Sequence, residues 1–260
     1  MNKHIHEVGC MMVSILLACF MLSCSSSDDE EVTLEKEKTV SLMDVKHIVR
    51  TVSKEYSINN MLEYEDEWRY TYDSQGRIIT AVAVDSDGYG SYGKSSSYIY
   101  DGSSLTIKEG DRYGIKATTF VLSEGRVVDD GEYTYTYNQD GYVITQTKKD
   151  DTYNYLWTDG NLTGLEKNGH LRVWSYSKIP WPKNWFMYFK GSNWDAYLEL
   201  AGTYGQMPKF LPEKFWYDEG YGWTFEYTIE NGLITKVTYR DFDEMGEFKG
   251  SYAEDILEWE

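Results

Sequence analysis

Residues 135–147 read YTYNQDGYVITQT, and residues 70–82 read YTYDSQGRIITAV. Each is an alternating aromatic run, then an Asp or Asn with glycine three residues later, then a β-branched run. Successive strand side chains point to opposite faces, so Tyr133, Tyr135 and Tyr137 share one face while Thr134 and Thr136 take the other. Strict alternation beyond the turn sets Val143, Thr145 and Thr147 against Ile144 and Gln146. Asp73 or Asn138 can accept hydrogen bonds from nearby backbone N–H groups, and Gly76 or Gly141 supplies positive φ. The pattern is that of a β-hairpin.

The same unit recurs along the chain. Residues 155–167 (YLWTDGNLTGLEK) and 225–239 (FEYTIENGLITKVTY) are weaker copies, and 98–107 (YIYDGSSLTI) and 120–128 (FVLSEGRVV) are degenerate ones. Asn168-Gly169 adds a further two-residue hairpin signal. The turn glycines are unevenly spaced, which disfavours a solenoid. The expectation is an all-β fold, an antiparallel hairpin meander forming a barrel or a strongly curved sheet; closure would remove the sticky edges. Thr134, Thr136, Lys236 and Arg240 lie on polar strand faces that would be costly against lipid, so a membrane-spanning barrel is disfavoured.

With 260 residues, 24 of them Tyr, 9 Trp and 9 Phe, the chain has ample aromatic surface for a sizeable core. A formal net charge of −18 repels phosphate backbones and argues against nucleic acid as a partner. The cysteines, Cys10, Cys19 and Cys24, all fall near the amino terminus. Met11–Leu22 is an uncharged run of twelve residues, too short to span a bilayer as a helix but the right length for a secretory signal. Ser23-Cys24 at its end resembles the lipobox of bacterial lipoproteins, in which the cysteine thiol is lipidated and the preceding peptide removed. Cys19 is a rival, but cleavage there would leave Phe20-Met21-Leu22 on the mature tail. Residues 25–31 (SSSDDEE) read as a self-repelling tether, and Asp28–Glu31 resemble the acidic export signal of surface lipoproteins in Bacteroidota. The expected organisation is a signal peptide over 1–23, an acidic tether over 24–40 and one β domain over 41–260, anchored by lipid at the outer membrane and displayed at the cell surface.

Residues 180–223 interrupt the hairpin pattern. A short helix is expected near 194–203, capped by Asn193 or Asp195 and ended by Gly202. Residues 201–212 (AGTYGQMPKFLP), followed by FEYTIENGLITKVTY, resemble the C-terminal half of a Bacteroidota lipoprotein family of unknown function with a porin-like fold; the tyrosine-rich hairpins resemble the YD repeats of cell-surface proteins. That resemblance implies a barrel and an envelope location, and it brings no catalytic residues.

Chemistry-bearing motifs are sparse. No Gly-x-Ser-x-Gly elbow, HExxH or CxxC occurs, and no cofactor is expected. His47 and His170 read as surface strand residues. Asp85–Gly88 and Asp241–Gly246 mimic the start of a calcium loop, but Ser96 and Tyr252 stand where its bidentate Glu is needed, so no metal is expected. Glu213, Asp218 and Glu219, lying among Trp216, Tyr217 and Trp223, are the most suggestive carboxylates for a glycosidase. The stronger signal is Trp181, Trp185, Trp194, Trp216 and Trp223, whose flat faces and polar neighbours suit sugar recognition. The expectation is a non-catalytic binding protein for a glycan or a partner envelope protein; a scaffold without a small-molecule site is the alternative, and a glycosidase a further one.

Overall fold

The computed structural model describes residues 46–84, 93–111, 113–183, 185 and 201–260. Among the described residues, sixteen strands form one closed antiparallel barrel in which each strand pairs with its sequence neighbours and the last with the first. They are β1 (Ile48–Tyr56), β2 (Leu62–Tyr72), β3 (Ile78–Val84), β4 (Ser95–Asp101) and β5 (Ser104–Asp111). Next come β6 (Gly114–Ser123), β7 (Arg126–Asp129), β8 (Thr134–Tyr137), β9 (Val143–Lys148), β10 (Asp151–Thr158) and β11 (Asn161–Lys167). The last five are β12 (His170–Pro180), β13 (Phe210–Tyr217), β14 (Gly222–Glu230), β15 (Leu233–Phe242) and β16 (Phe248–Trp259). Among the described residues there is no helix. Of the helix expected near 194–203, residues 194–200 lie outside the described residues, and Ala201–Thr203 form a turn and its exit.

The turn chemistry is as the sequence indicates. Asp73 Oδ1 accepts the backbone N–H groups of Gln75 (2.8 Å) and Arg77 (2.9 Å), and Asn138 Oδ1 accepts that of Tyr142 at 3.0 Å. Asp243 does the same for Met245 and Glu247, at 2.9 and 3.0 Å. The calcium-like stretch 241–246 is therefore mostly a third copy of this hairpin turn. Residues 85–88 lie outside the described residues.

The alternation beyond the turn differs from the sequence expectation. Tyr135 pairs with Gln146 and Thr136 with Thr145, but Tyr137 pairs with Val143, so Ile144 is an extra residue. Val143 and Gln146 consequently both face inward and are buried. Equivalent one-residue bulges place Val49, Ile79, Val128, Thr163, Glu213 and Thr235 out of register, all at the same end of the barrel. Each bulge bends its strand and increases its twist, which helps a long sheet to close.

A side-chain bond accompanies six of these bulges. The carbonyl just before the extra residue accepts a hydrogen bond from an aromatic tip on the next strand. Tyr72 donates to Ile48 O (2.6 Å), Tyr137 to Val127 O (2.7 Å) and Trp157 to Val143 O (2.7 Å). Tyr176 donates to Leu162 O (2.7 Å), Tyr227 to Pro212 O (2.8 Å) and Trp259 to Ile234 O (2.7 Å). A bulge disrupts the ladder locally, and the phenol or indole supplies a donor there without requiring water. At these six places the recurring aromatic is thus explained as a clasp on the bulge. Removing one such hydroxyl with Tyr176→Phe is expected to cost about 1 kcal/mol in urea unfolding; a change within error would show that the clasp is dispensable.

Outer and inner faces differ sharply. The outer wall carries cross-strand threonine pairs, Thr71–Thr80 and Thr136–Thr145 at 2.6 Å and Thr106–Thr119 at 2.9 Å. It also carries ion pairs between neighbouring strands: Arg50 with Glu67 and Glu258, Lys54 with Glu65, and Lys236 with Glu254. Inward-facing residues form one continuous apolar core, and Leu105, Val127, Val143, Leu162, Leu211 and Phe215 are 0% exposed. Water therefore does not reach those levels of the barrel.

Candidate functional site at the open end

Successive turns alternate between the two ends of a meander. The turns that carry the bulges, the start of β1 beside His47, the end of β16 beside Glu260, and both ends of the long β12–β13 connection all belong to one end. His47 and Glu260 exchange backbone hydrogen bonds of 2.8 and 2.9 Å. Residues 201–209 of the connection lie against that end and seal it. Thr203 O accepts from Val127 N–H (2.9 Å), Gln206 N–H donates to Gly141 O (3.0 Å) and Lys209 N–H to Gly160 O (2.8 Å). Tyr204 is 1% exposed and meets the ring of Tyr135 edge-on at 5.6 Å.

The opposite end is polar. Strands β15, β16 and β2 bring Asp241, Asp255 and Asp66 to its inner face. Asp255 accepts from Ser53 Oγ at 2.6 Å and from the Tyr239 hydroxyl, and Asp66 accepts from Trp68 Nε1 at 2.8 Å. Across the barrel, β6, β9, β11 and β12 bring Lys116, Lys148, Lys167 and Arg172. The bases on that wall are themselves matched by acids, Lys148 by Glu132 and Lys167 by Asp151.

Among the described residues, two clefts lie there. One, of about 420 Å³, lies between Trp68, Ser96, Glu109 and the turn at Tyr113. The other, of about 360 Å³, is lined by Tyr153, Lys167, His170, Arg172, Tyr217, Asp218, Glu219 and Tyr221. In the second, Lys167 Nζ lies 2.9 Å from both Asp151 Oδ2 and the Tyr153 hydroxyl, an arrangement that holds the ammonium above its ordinary pKa. Tyr217 stacks on Tyr221 at 4.5 Å, and the Arg172 guanidinium lies over the Tyr217 ring at 5.4 Å. Asp218 is held below the usual carboxylate range by its hydrogen bond with Glu219, and further by the Leu171 N–H and His170. The cleft offers aromatic faces, two cations and two carboxylates within one small concavity.

No family model and no curated protein matches the chain. Among solved structures, a porin-like protein from Bacteroides uniformis matches with a TM-score of 0.59 and 15% identity, over 82% of this chain and 96% of that one. The likeness is one of fold. A porin-like barrel of sixteen strands has room for an aqueous channel, but this one is filled by its own aromatic and aliphatic side chains and sealed at one end.

The tryptophans singled out in the sequence do not share one place. Trp181 and Trp185 belong to the sealing connection and border a cleft of about 480 Å³ with His47, Tyr72 and Arg77. Trp185 is buried and stacks on Trp259 at 6.4 Å. Trp216 lies on the outer wall with Lys214 Nζ 5.6 Å from its ring. Trp223 faces inward and stacks on Phe215 at 5.3 Å. Trp194 lies outside the described residues, as do Cys19 and Cys24.

Of the three carboxylates, Glu213 is an exposed bulge residue on β13. Asp218 and Glu219 are successive residues of one turn, with one oxygen of each within 4.8 Å of the other. His170, read from sequence as a strand residue beside a turn, stands against both acids. Hairpin parity carried a signal of this. The turns at 168–169 and 218–220 fall at the same end of a meander, and β12 and β13 are adjacent.

Proposed function

We propose that this is a lipid-anchored envelope protein that binds a ligand at the open end of its barrel without transforming it, with Cys24 as the lipidated residue. The observation that carries the reading is the asymmetry of the barrel. Strand β1 begins at the sealed end, and the polar aromatic cleft opens at the opposite end. The outer wall supports a barrel standing in water beside the membrane. Each Arg or Lys facing lipid at mid-bilayer would cost about 2–4 kcal/mol, and Arg50, Lys54, Arg69, Lys236 and Arg240 face outward in cross-strand register.

The ligand class that fits the cleft best is a saccharide. Tyr217 and Tyr221 offer stacking faces, and Arg172, Lys167, Asp218 and Glu219 offer partners for hydroxyls. The test is a glycan array followed by calorimetry on the hits. Tyr221→Ala is expected to weaken binding roughly tenfold, and Trp181→Ala at the sealed end to leave it unchanged. A flat array, or equal losses from both variants, overturns the saccharide reading.

A second reading rests on its own observation. Ile58 (68% exposed), Met61 (61%), Met245 (79%) and Phe248 (60%) form an apolar rim on the adjoining β1–β2 and β15–β16 turns. A flat array together with a stoichiometric co-purifying protein that Phe248→Ser releases would move the function to a partner envelope protein.

A further inference from the structure

His170 opens β12 directly after the Asn168-Gly169 turn, and Asp218 and Glu219 open the turn between β13 and β14. Strands β12 and β13 pair with Arg172 opposite Tyr217, so the two turns meet although His170 and Asp218 are 48 residues apart. Backbone bonds hold the junction. Asp218 N–H donates to Leu171 O at 2.9 Å, and Leu171 N–H donates to Asp218 Oδ2 at 3.3 Å.

One donor atom from each of the three side chains lies within 4.8 Å of the others. His170 Nδ1 is 3.2 Å from Asp218 Oδ2 and 3.8 Å from Glu219 Oε1. Donors sharing one tetrahedral ion at about 2.1 Å are about 3.4 Å apart; His170 Nδ1 already stands near that distance from Asp218, and rotation of the exposed Glu219 side chain would bring all three onto one centre. The group also stands at the edge of the 360 Å³ cleft, where a fourth ligand could enter.

We infer that His170, Asp218 and Glu219 hold a divalent transition-metal ion, Zn²⁺ being the best match. The donor set decides the class. Imidazole with carboxylates suits the borderline ions, whereas Ca²⁺ and Mg²⁺ take shells of oxygen. Two carboxylates neutralise the charge of the ion and relieve their own mutual repulsion. Three protein ligands leave one tetrahedral position for water or for a group bound in the cleft. The site clips two hairpin turns together whether or not a saccharide is present, so it stands or falls separately from the ligand proposed above.

Calorimetric titration of Zn²⁺ into the full-length chain tests this by difference. His4, His6 and the cysteines at 10, 19 and 24 can bind zinc as well, and their contribution cancels between wild type and variant. His170→Ala and Asp218→Asn are each expected to lose one binding equivalent, and zinc is expected to raise the thermal midpoint of wild type further than that of either variant. His170, Asp218 and Glu219 are exposed, so both variants keep the barrel, which a far-ultraviolet spectrum checks. Equal stoichiometry in wild type and both variants overturns the inference. Zinc binding that survives His170→Ala but not Asp218→Asn also overturns it, as does Ca²⁺ binding that needs Asp218 but not His170.

Discussion

Replacing Phe215 with alanine is expected to lower the free energy of unfolding by about 3–5 kcal/mol, read from urea denaturation followed by tryptophan fluorescence and circular dichroism. Phe215 is 0% exposed and faces the lumen from β13, in register with Trp174 on β12 and Trp223 on β14. Its ring lies 4.9 Å from that of Trp174, 5.0 Å from that of Tyr217 and 5.3 Å from that of Trp223. Truncation removes the transfer energy of the ring and leaves a cavity that three large, mutually braced neighbours cannot refill. Tyr217 is part of the open cleft, so a ligand that stacks there should also bind more weakly to this variant. A loss of stability below about 1 kcal/mol would mean that the lumen is loosely packed, and the account of a filled barrel would fail.

Gly205→Ala is expected to unseat the sealing connection. Gly205 has φ of +80°, and an added Cβ would lie 2.3 Å from the carbonyl oxygen of Gly141. That oxygen is fixed backbone, accepting from Gln206 N–H beside the bridge between Gly205 and Tyr142. Left-handed strain and the clash act together, for about 2–3 kcal/mol, released by detachment of the segment from the barrel end. Limited proteolysis should then cut within 181–209 much faster than in wild type, while the β-sheet signal of the barrel persists. Gly202 is the control. Its φ is +67°, but a Cβ added there would meet nothing within 4 Å, so Gly202→Ala should show the ~1 kcal/mol of backbone strain alone. Equal protease sensitivity of the two variants would remove Gly205 from its role as the close-contact point.

The hairpin unit was legible because its signals are local. Asp73, Asn138, Gly76 and Gly141 act within five residues of themselves, and their turns form as the sequence suggests. The bulges were not legible. Val143 and Ile144 are both β-branched and apolar, so nothing in the pattern says which of them leaves the register. That choice is made by the partner strand, by the Trp157 indole waiting for the Val143 carbonyl, and by the twist needed for closure. An error of one residue there reverses every later side chain on the strand. Gln146, expected on the face opposite Val143, accordingly shares the inner face with it and is buried between the hydroxyls of Tyr135 and Tyr155.

The candidate site was less legible than the fold. Composition pointed to the tryptophans, because large flat rings look alike whether they plug, brace or bind. Their positions in the barrel separate these roles: Trp185 seals, Trp223 braces Phe215, and Trp216 lies outside. The cleft at the open end instead draws on Lys167, Arg172, Tyr217 and Tyr221, residues of common type with no motif spacing.

The sequence by itself determined that the chain is a run of antiparallel hairpins, because turn chemistry and strand alternation are short-range and each unit carries its own instructions. Only the tertiary structure decided that β16 returns to β1, that the lumen is solid, and that His170 meets Asp218 and Glu219. Those outcomes depend on contacts between residues tens to hundreds of positions apart, as with Trp259 opposite Ile48. Such contacts are selected by the packing of the whole barrel and not by any one segment.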